Sequence, residues 1–214
     1  MKKRFLLAFA TLVVFGLLGF LLVTKKGPSA GVDLVIDYKN SQDLKLYDLS
    51  ETQGDGSNKF ISEITSSGSG IKILEDHSYK ITYSGAEGFA GGEMVFGPVH
   101  EKTYSVEIDP YFSDQKLSSL LEGKELGIHE AVKKNFQHIN LYEIQPGKLY
   151  RWGEWYGTTL KYVGNDTFNG DVLRVVLKHE QEGWQVKTEI PDITLSKQIF
   201  PDIPVDVLRA VNSL

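Results

Sequence analysis

Where the patterned part of the chain begins, apolar residues recur at every second position. Val32, Leu34, Ile36 and Tyr38 fall on one side, with Asp33 and Asp37 on the other. Side chains of an extended chain point to alternate faces, so this period of two predicts a half-buried strand. Similar runs occupy residues 44–49, 60–64, 71–74, 79–83, 94–96 and 104–108. Turn formers separate them: Gly54-Asp55-Gly56, residues 66–70 and the glycine-rich stretch 85–92. About seven short strands at this spacing, with no helical pattern among them, predict an all-β antiparallel sandwich. It covers residues 32–108.

The period changes after Asp109-Pro110. Leu117, Leu120 and Leu121, then Ile128, Val132 and Phe136, are spaced for helices, and Ser113 stands where an N-cap belongs. Alternation returns at residues 141–144, 149–152, 156–163, 172–179 and 184–190. The last two runs make the clearest hairpin. Leu173, Val175 and Leu177 share one face; across the turn Gln181-Glu182-Gly183, so do Trp184, Val186, Thr188 and Ile190. Pro191 ends that strand, and Pro204 fits the first turn of a terminal helix containing Val205, Leu208 and Val211. Two helices ahead of an antiparallel sheet predict a small α+β domain with a C-terminal tail, residues 109–214.

Ahead of the sandwich lies a different pattern. Residues 5–23 carry no charge. Nineteen residues at about 1.5 Å each give about 28 Å, close to the hydrocarbon thickness of a bilayer. A helix pairs its own backbone groups, as lipid requires. The prediction is a single transmembrane helix at residues 5–23, a cytoplasmic stub at 1–4 and a linker at 24–31. The rival reading is a cleaved signal peptide, whose apolar region is normally about 7 to 15 residues and ends at a small-residue site. Lys25 and Lys26 occupy that place, and Pro28-Ser29-Ala30 matches it poorly. Lys2, Lys3 and Arg4 precede the helix and two lysines follow it, which favours a cytoplasmic N-terminus and an extracytoplasmic C-terminal part. The partner implied is the lipid bilayer and the location is the cell membrane, crossed once.

Charge separates the anchor from the rest. Five of the 23 basic residues lie in residues 1–26, which hold no acid, so the remainder carries 18 basic against 28 acidic side chains. An acidic domain lacks the phosphate-neutralising surface that nucleic acid requires. The chain has no cysteine. That excludes disulfides, thiolate nucleophiles, iron–sulfur clusters and a lipidated N-terminal cysteine.

Candidate chemistry is sparse. His77, His100, His129, His138 and His179 form no HExxH and no i, i+4 pair, so they read as scattered histidines and no metal site is assigned. No GxSxG or SxxK occurs, and no glycine-rich stretch ends in Gly-Lys-Ser/Thr. Asn165-Asp166-Thr167 fits a glycosylation pattern that is common by chance. No cofactor and no enzymatic activity follow from these residues. One cluster rises above background. Tyr150, Trp152, Trp155, Tyr156 and Tyr162 fall within thirteen residues, and Tyr150 and Trp152 fit one strand face. Trp155 breaks that alternation, so Gly153-Glu154 is expected to form a bulge or tight turn. Two readings stand: the aromatics fill the core of the α+β domain, or Tyr150, Arg151, Trp152, Glu154, Trp155 and Tyr156 make a ligand surface for sugars or a peptide.

These passages carry a resemblance. Residues 32–108 resemble the small β-sandwich modules of bacterial surface proteins, PEGA-like or immunoglobulin-like, without a Pro-Glu-Gly-Ala signature. Residues 111–211 resemble small α+β cone domains of the nuclear-transport-factor-2-like or cystatin-like kind. The passages 149–157 and 173–178, with Gly183-Trp184, carry that likeness. With its anchor, the whole chain is similar to membrane-anchored envelope proteins of candidate-phylum bacteria. Such proteins supply no catalytic motif, so no residue role carries over. The resemblance implies a non-enzymatic binding or spacer module of the cell envelope, with a glycan, peptide or envelope protein as partner. Two alternatives remain: an enzyme with a pocket in the cone domain, or a structural subunit of a membrane complex.

Overall fold

The computed structural model describes residues 31–164, 172–188 and 193–214. The predicted membrane helix, the Asn165 glycosylation pattern, Ile190 and Pro191 lie outside them. Among the described residues no helix is long and apolar enough to cross a membrane. The fold is mostly antiparallel sheet with a few helices.

Residues 31–108 hold seven strands: β1 (Gly31–Tyr38), β2 (Ser41–Thr52), β3 (Asn58–Ile64), β4 (Ser69–Leu74), β5 (Tyr79–Gly85), β6 (Gly92–Phe96) and β7 (Thr103–Ile108). They form a three-stranded sheet, β4-β1-β7, and a four-stranded sheet, β3-β2-β5-β6. Alternation sets which side is buried. Val32, Leu34 and Ile36 of β1 are buried, as are Leu44, Leu46 and Asp48 of β2. Each such aliphatic side chain contributes roughly 1.5–3 kcal/mol by leaving water. β1 pairs antiparallel with β4, Leu34 opposite Ile71. Its other neighbour departs from the expected antiparallel scheme. The Asp33 N–H donates to the Lys102 carbonyl and the Lys39 N–H to the Ile108 carbonyl, both 69 positions ahead. A constant offset means that β1 and β7 run parallel. Tyr79 opens β5 fully buried, its ring stacked on Phe96 and Phe96 on Tyr104. Its hydroxyl donates to the Leu74 carbonyl (3.0 Å) and accepts from the Leu74 N–H (2.8 Å), the geometry of a tyrosine corner.

Among the described residues the chain forms two compact units. One comprises residues 31–37, 45–81 and 94–107; the other comprises residues 38–44, 82–93 and 108–214. Within the second unit, Phe89 and Phe112 make a β-bridge. The Ala90 N–H donates to the Tyr111 carbonyl and the Ser113 N–H to that of Gly88. The glycine-rich stretch 85–92 is therefore part of the same compact body as the helices.

That unit contains α1 (Asp114–Leu121), α2 (Glu125–Asn135), a 3-10 turn (Ile139–Leu141), β8 (Tyr142–Ile144), β9 (Lys148–Tyr150), β10 (Trp155–Tyr162), β11 (Leu173–Glu180), β12 (Gly183–Val186) and α3 (Val205–Asn212). Ser113 caps α1 as expected, accepting from the Lys116 N–H. The sheet order is β12-β11-β10-β8, with β9 also on β10. β8 and β9 are two halves of one edge strand. Leu160 faces Ile144 while Gly157 faces Lys148, so the register slips by one residue at Gln145-Pro146-Gly147. Proline cannot donate to a ladder, and an extra residue there is a bulge. The Thr158 hydroxyl donates to the Gln145 carbonyl at 2.5 Å and fixes it.

Both faces of this sheet are covered. Tyr156, Leu160, Leu173, Val175 and Leu177 pack with Leu117, Ile128, Val132 and Phe136 from α1, α2 and the end of α2. Trp155 and Val176 point the other way, toward Leu195, Phe200, Ile203 and Val207, Leu208 and Val211 of α3. Trp155 through Leu160 are therefore all buried. In α3 the sequence reading placed Val205 with Leu208 and Val211. Val205 is 50% exposed, and Val207 takes the inward place: the buried stripe is Val207, Leu208 and Val211, spaced i, i+1, i+4, and Pro204 stands before the helix as its N-cap rather than in its first turn.

Candidate functional site

The six residues of the aromatic passage separate. Trp155 and Tyr156, adjacent on β10, enter opposite cores. Tyr150 ends β9 half-buried against the α3 side, where Gly157 leaves room for its ring. Its hydroxyl is buried and has no hydrogen-bond partner among the described residues. Burial pushes the phenol up to about 12, with the charges of Tyr156 and Asp114 adding to the effect. Glu154 accepts from the Trp155 indole N–H at 3.0 Å. The core reading thus describes Trp155 and Tyr156, and in large part Tyr150.

Arg151 and Trp152 are placed otherwise. β9 and β10 are joined by a four-residue turn, residues 151–154, closed by the Gly153 N–H donating to the Tyr150 carbonyl at 3.0 Å. The expected tight turn is present, but Trp152 belongs to it and shares no strand face with Tyr150. Gly153 has φ 80° and Arg151 has φ 60°. A left-handed arginine costs roughly 1 kcal/mol or more, so surrounding contacts must hold it. The Arg151 carbonyl accepts from the Phe112 N–H at 3.0 Å. Its guanidinium donates to Asp206 of α3 twice, from Nε at 3.0 Å and from Nη2 at 2.7 Å. It also lies over the Tyr111 ring, 5.0 Å from the centroid. The hydrogen bond to Arg151 is the main reason that the Asp206 carboxyl sits below its ordinary range and the Arg151 guanidinium above its own. Trp152 meets Tyr111 edge to face, centroids 4.7 Å apart, and is 41% exposed. Sequence reading missed Tyr111 and Asp206 because they lie 40 and 55 positions from Arg151 and no local pattern links them.

A second cluster escaped the sequence entirely. Asp48, Glu51 and His77 bring ligand-type atoms within 4.8 Å of one another. Asp48 is 2% exposed. One of its oxygens accepts from the Ser50 N–H at 2.8 Å and the other meets His77 Nδ1 at 2.7 Å. Glu51 is engaged by Lys59 at 2.7 Å. Each acid already has a donor, so the cluster is a satisfied polar network that ties β2 to the start of β5. The available signal was an acid in an inward slot: Asp48 continues the alternation of Leu44 and Leu46.

No family model, no curated protein and no solved structure matches the chain.

Proposed function

We propose that residues 5–23 hold this chain in a membrane, N-terminus cytoplasmic, and that the extracytoplasmic part is a non-enzymatic binding module built from a β-sandwich and an α+β domain. The immunoglobulin-like or PEGA-like and cone-domain resemblances belong to this reading, and the parallel β1–β7 pairing and the tyrosine corner are consistent with the former. The membrane half rests on the uncharged segment and its basic flanks. One observation carries binding over spacing: the Arg151–Glu154 turn presents a 41% exposed tryptophan on a backbone held in a costly conformation. A spacer has no use for a strained turn that holds an indole in water, whereas a ligand platform does.

Protease added to intact cells tests the orientation. Digestion of residues 27–214 together with a known surface protein is the expected result; survival of the domain while that protein is cut overturns it. Peptide and glycan arrays probed with the full chain test binding. Capture that is lost in Trp152→Ala supports the module, and no capture on either array favours a spacer or a structural subunit of a complex.

A further inference from the structure

Resting on the binding reading, we propose that the Tyr111–Arg151–Trp152 turn is a subsite for a neutral sugar ring, with the indole of Trp152 as the stacking platform.

The argument begins with rigidity. Trp152 stands between Arg151 and Gly153, whose backbones are both left-handed. Each end of the turn is fixed by a backbone hydrogen bond, Gly153 to Tyr150 and Phe112 to Arg151. Tyr111 braces the indole by its edge-to-face contact, and Arg151, itself clamped by Asp206, covers Tyr111. The exposed ring is thus presented in one orientation before any ligand arrives. Such preorganisation raises affinity by lowering the ordering cost of binding.

The rim selects the ligand class. The turn and the residue that clamps it hold one guanidinium (Arg151) and two carboxylates (Glu154 and Asp206), each with a hydrogen-bond partner in the protein. The set has no excess of positive charge, which an anionic ligand such as a phosphate needs. A quaternary ammonium needs several free aromatic faces, and here a guanidinium already occupies Tyr111. A pyranose fits what remains. Its C–H face is electropositive and stacks on an indole, while neighbouring hydroxyls both donate to carboxylates and accept from a guanidinium. The Arg151–Asp206 pair sets a donor and an acceptor side by side, and it keeps capacity for both: two of the five guanidinium N–H groups and two of the carboxylate's roughly four acceptor sites serve their mutual bond.

The test uses the full chain in lipid nanodiscs, because many detergents carry sugar headgroups. Hexasaccharides from cellulose, mannan and chitin are titrated while tryptophan emission and binding heat are followed. The expected result is saturable binding to at least one of them, weakened about tenfold or more in Trp152→Ala, partly retained in Trp152→Phe and unchanged in Leu126→Ala. Leu126 is an exposed apolar control on α2. Circular dichroism establishes that each variant is folded. No binding to any of the three sugars overturns the proposal, and so does sugar binding that Trp152→Ala leaves intact. Trp152-dependent capture of a peptide without sugar binding also overturns it, while leaving the binding module standing. Loss of every Trp152-dependent interaction removes both.

Discussion

Two tyrosines show how much a single hydroxyl can matter and in which direction. Tyr79 and Tyr150 both end in buried surroundings, but Tyr79 exchanges two hydrogen bonds with Leu74 and Tyr150 has no partner among the described residues. Removing a hydroxyl from a satisfied pair takes both hydrogen bonds from the partly buried Leu74 N–H and carbonyl, at about 1–2 kcal/mol. Removing one that is already unpaired lifts a penalty. Tyr79→Phe is therefore expected to lower the urea midpoint by about that amount, and Tyr150→Phe to leave it unchanged or raise it. A drop of similar size in both would show that the Tyr150 hydroxyl is bonded after all. At this scale the sequence was legible where one rule acts alone. Ser113 reads as a cap and Trp155 as a break in alternation from their neighbours. Asp48 did not read as half of a pair with His77, because partners 29 positions apart meet only after the sheets form. Arg151 gave no sign of its left-handed backbone, since the contacts that hold it come from Phe112, Tyr111 and Asp206.

Elements were easier to read than their ends. All seven early strands stand where period two put them, and α1 and α2 where helical spacing put them. The β11–β12 hairpin has the expected face: Leu177 lies opposite Val186 and His179 opposite Trp184, with Leu173, Val175 and Leu177 in the core beneath. What alternation could not tell is depth. Trp184 sits on the outermost strand of the sheet, half-buried, against Tyr156 and His179. Trp184→Ala is then expected to cost about 2–3 kcal/mol, below the range for emptying a fully buried aromatic. Lys187, paired with Glu180 near the surface, should cost about 0.5 kcal/mol or less on conversion to alanine. Equal urea midpoints for the two variants would mean a different register. The link between the β9–β10 turn and α3 makes a pH prediction. Arg151 depresses the Asp206 carboxyl, so as pH falls the unfolded state takes up that proton first. The stabilisation is complete above the ordinary carboxylate value of about 3.9 and fades as pH falls through the depressed one. Both side chains are partly exposed, which limits the gain to about 1 kcal/mol. Asp206→Asn should thus lower the melting temperature at neutral pH and converge on the parent at progressively lower pH. A gap that widens in acid would reverse the sign of the argument.

For the whole molecule, periodicity suggested a division at Asp109, and the compact units add two early stretches, residues 38–44 and 82–93, to the later one. Sequence could not anticipate this, because the hydrogen bonds concerned join loops: Ala86 to Asn40, Ala90 to Tyr111 and Ser113 to Gly88. A fragment of residues 111–214 leaves Phe89 and its neighbours behind. It is expected to unfold at lower urea than the same region within residues 31–214. Equal midpoints would show that those loops add no stability.

The parallel course of β1 and β7 has a mechanical side. In parallel strands the start of one lies beside the start of the other, so Gly31 and Ile108 sit at opposite ends of the ladder. Tension entering at Gly31 and leaving beyond Ile108 slides the two strands past each other and loads the evenly spaced hydrogen bonds together. Had they run antiparallel, the same two residues would be neighbours, and a pull would peel the bonds apart one at a time. Forced unfolding is governed by the barrier to the first rupture. A chain pulled between Gly31 and Ile108 would therefore stay closed under loads that would unzip a hairpin.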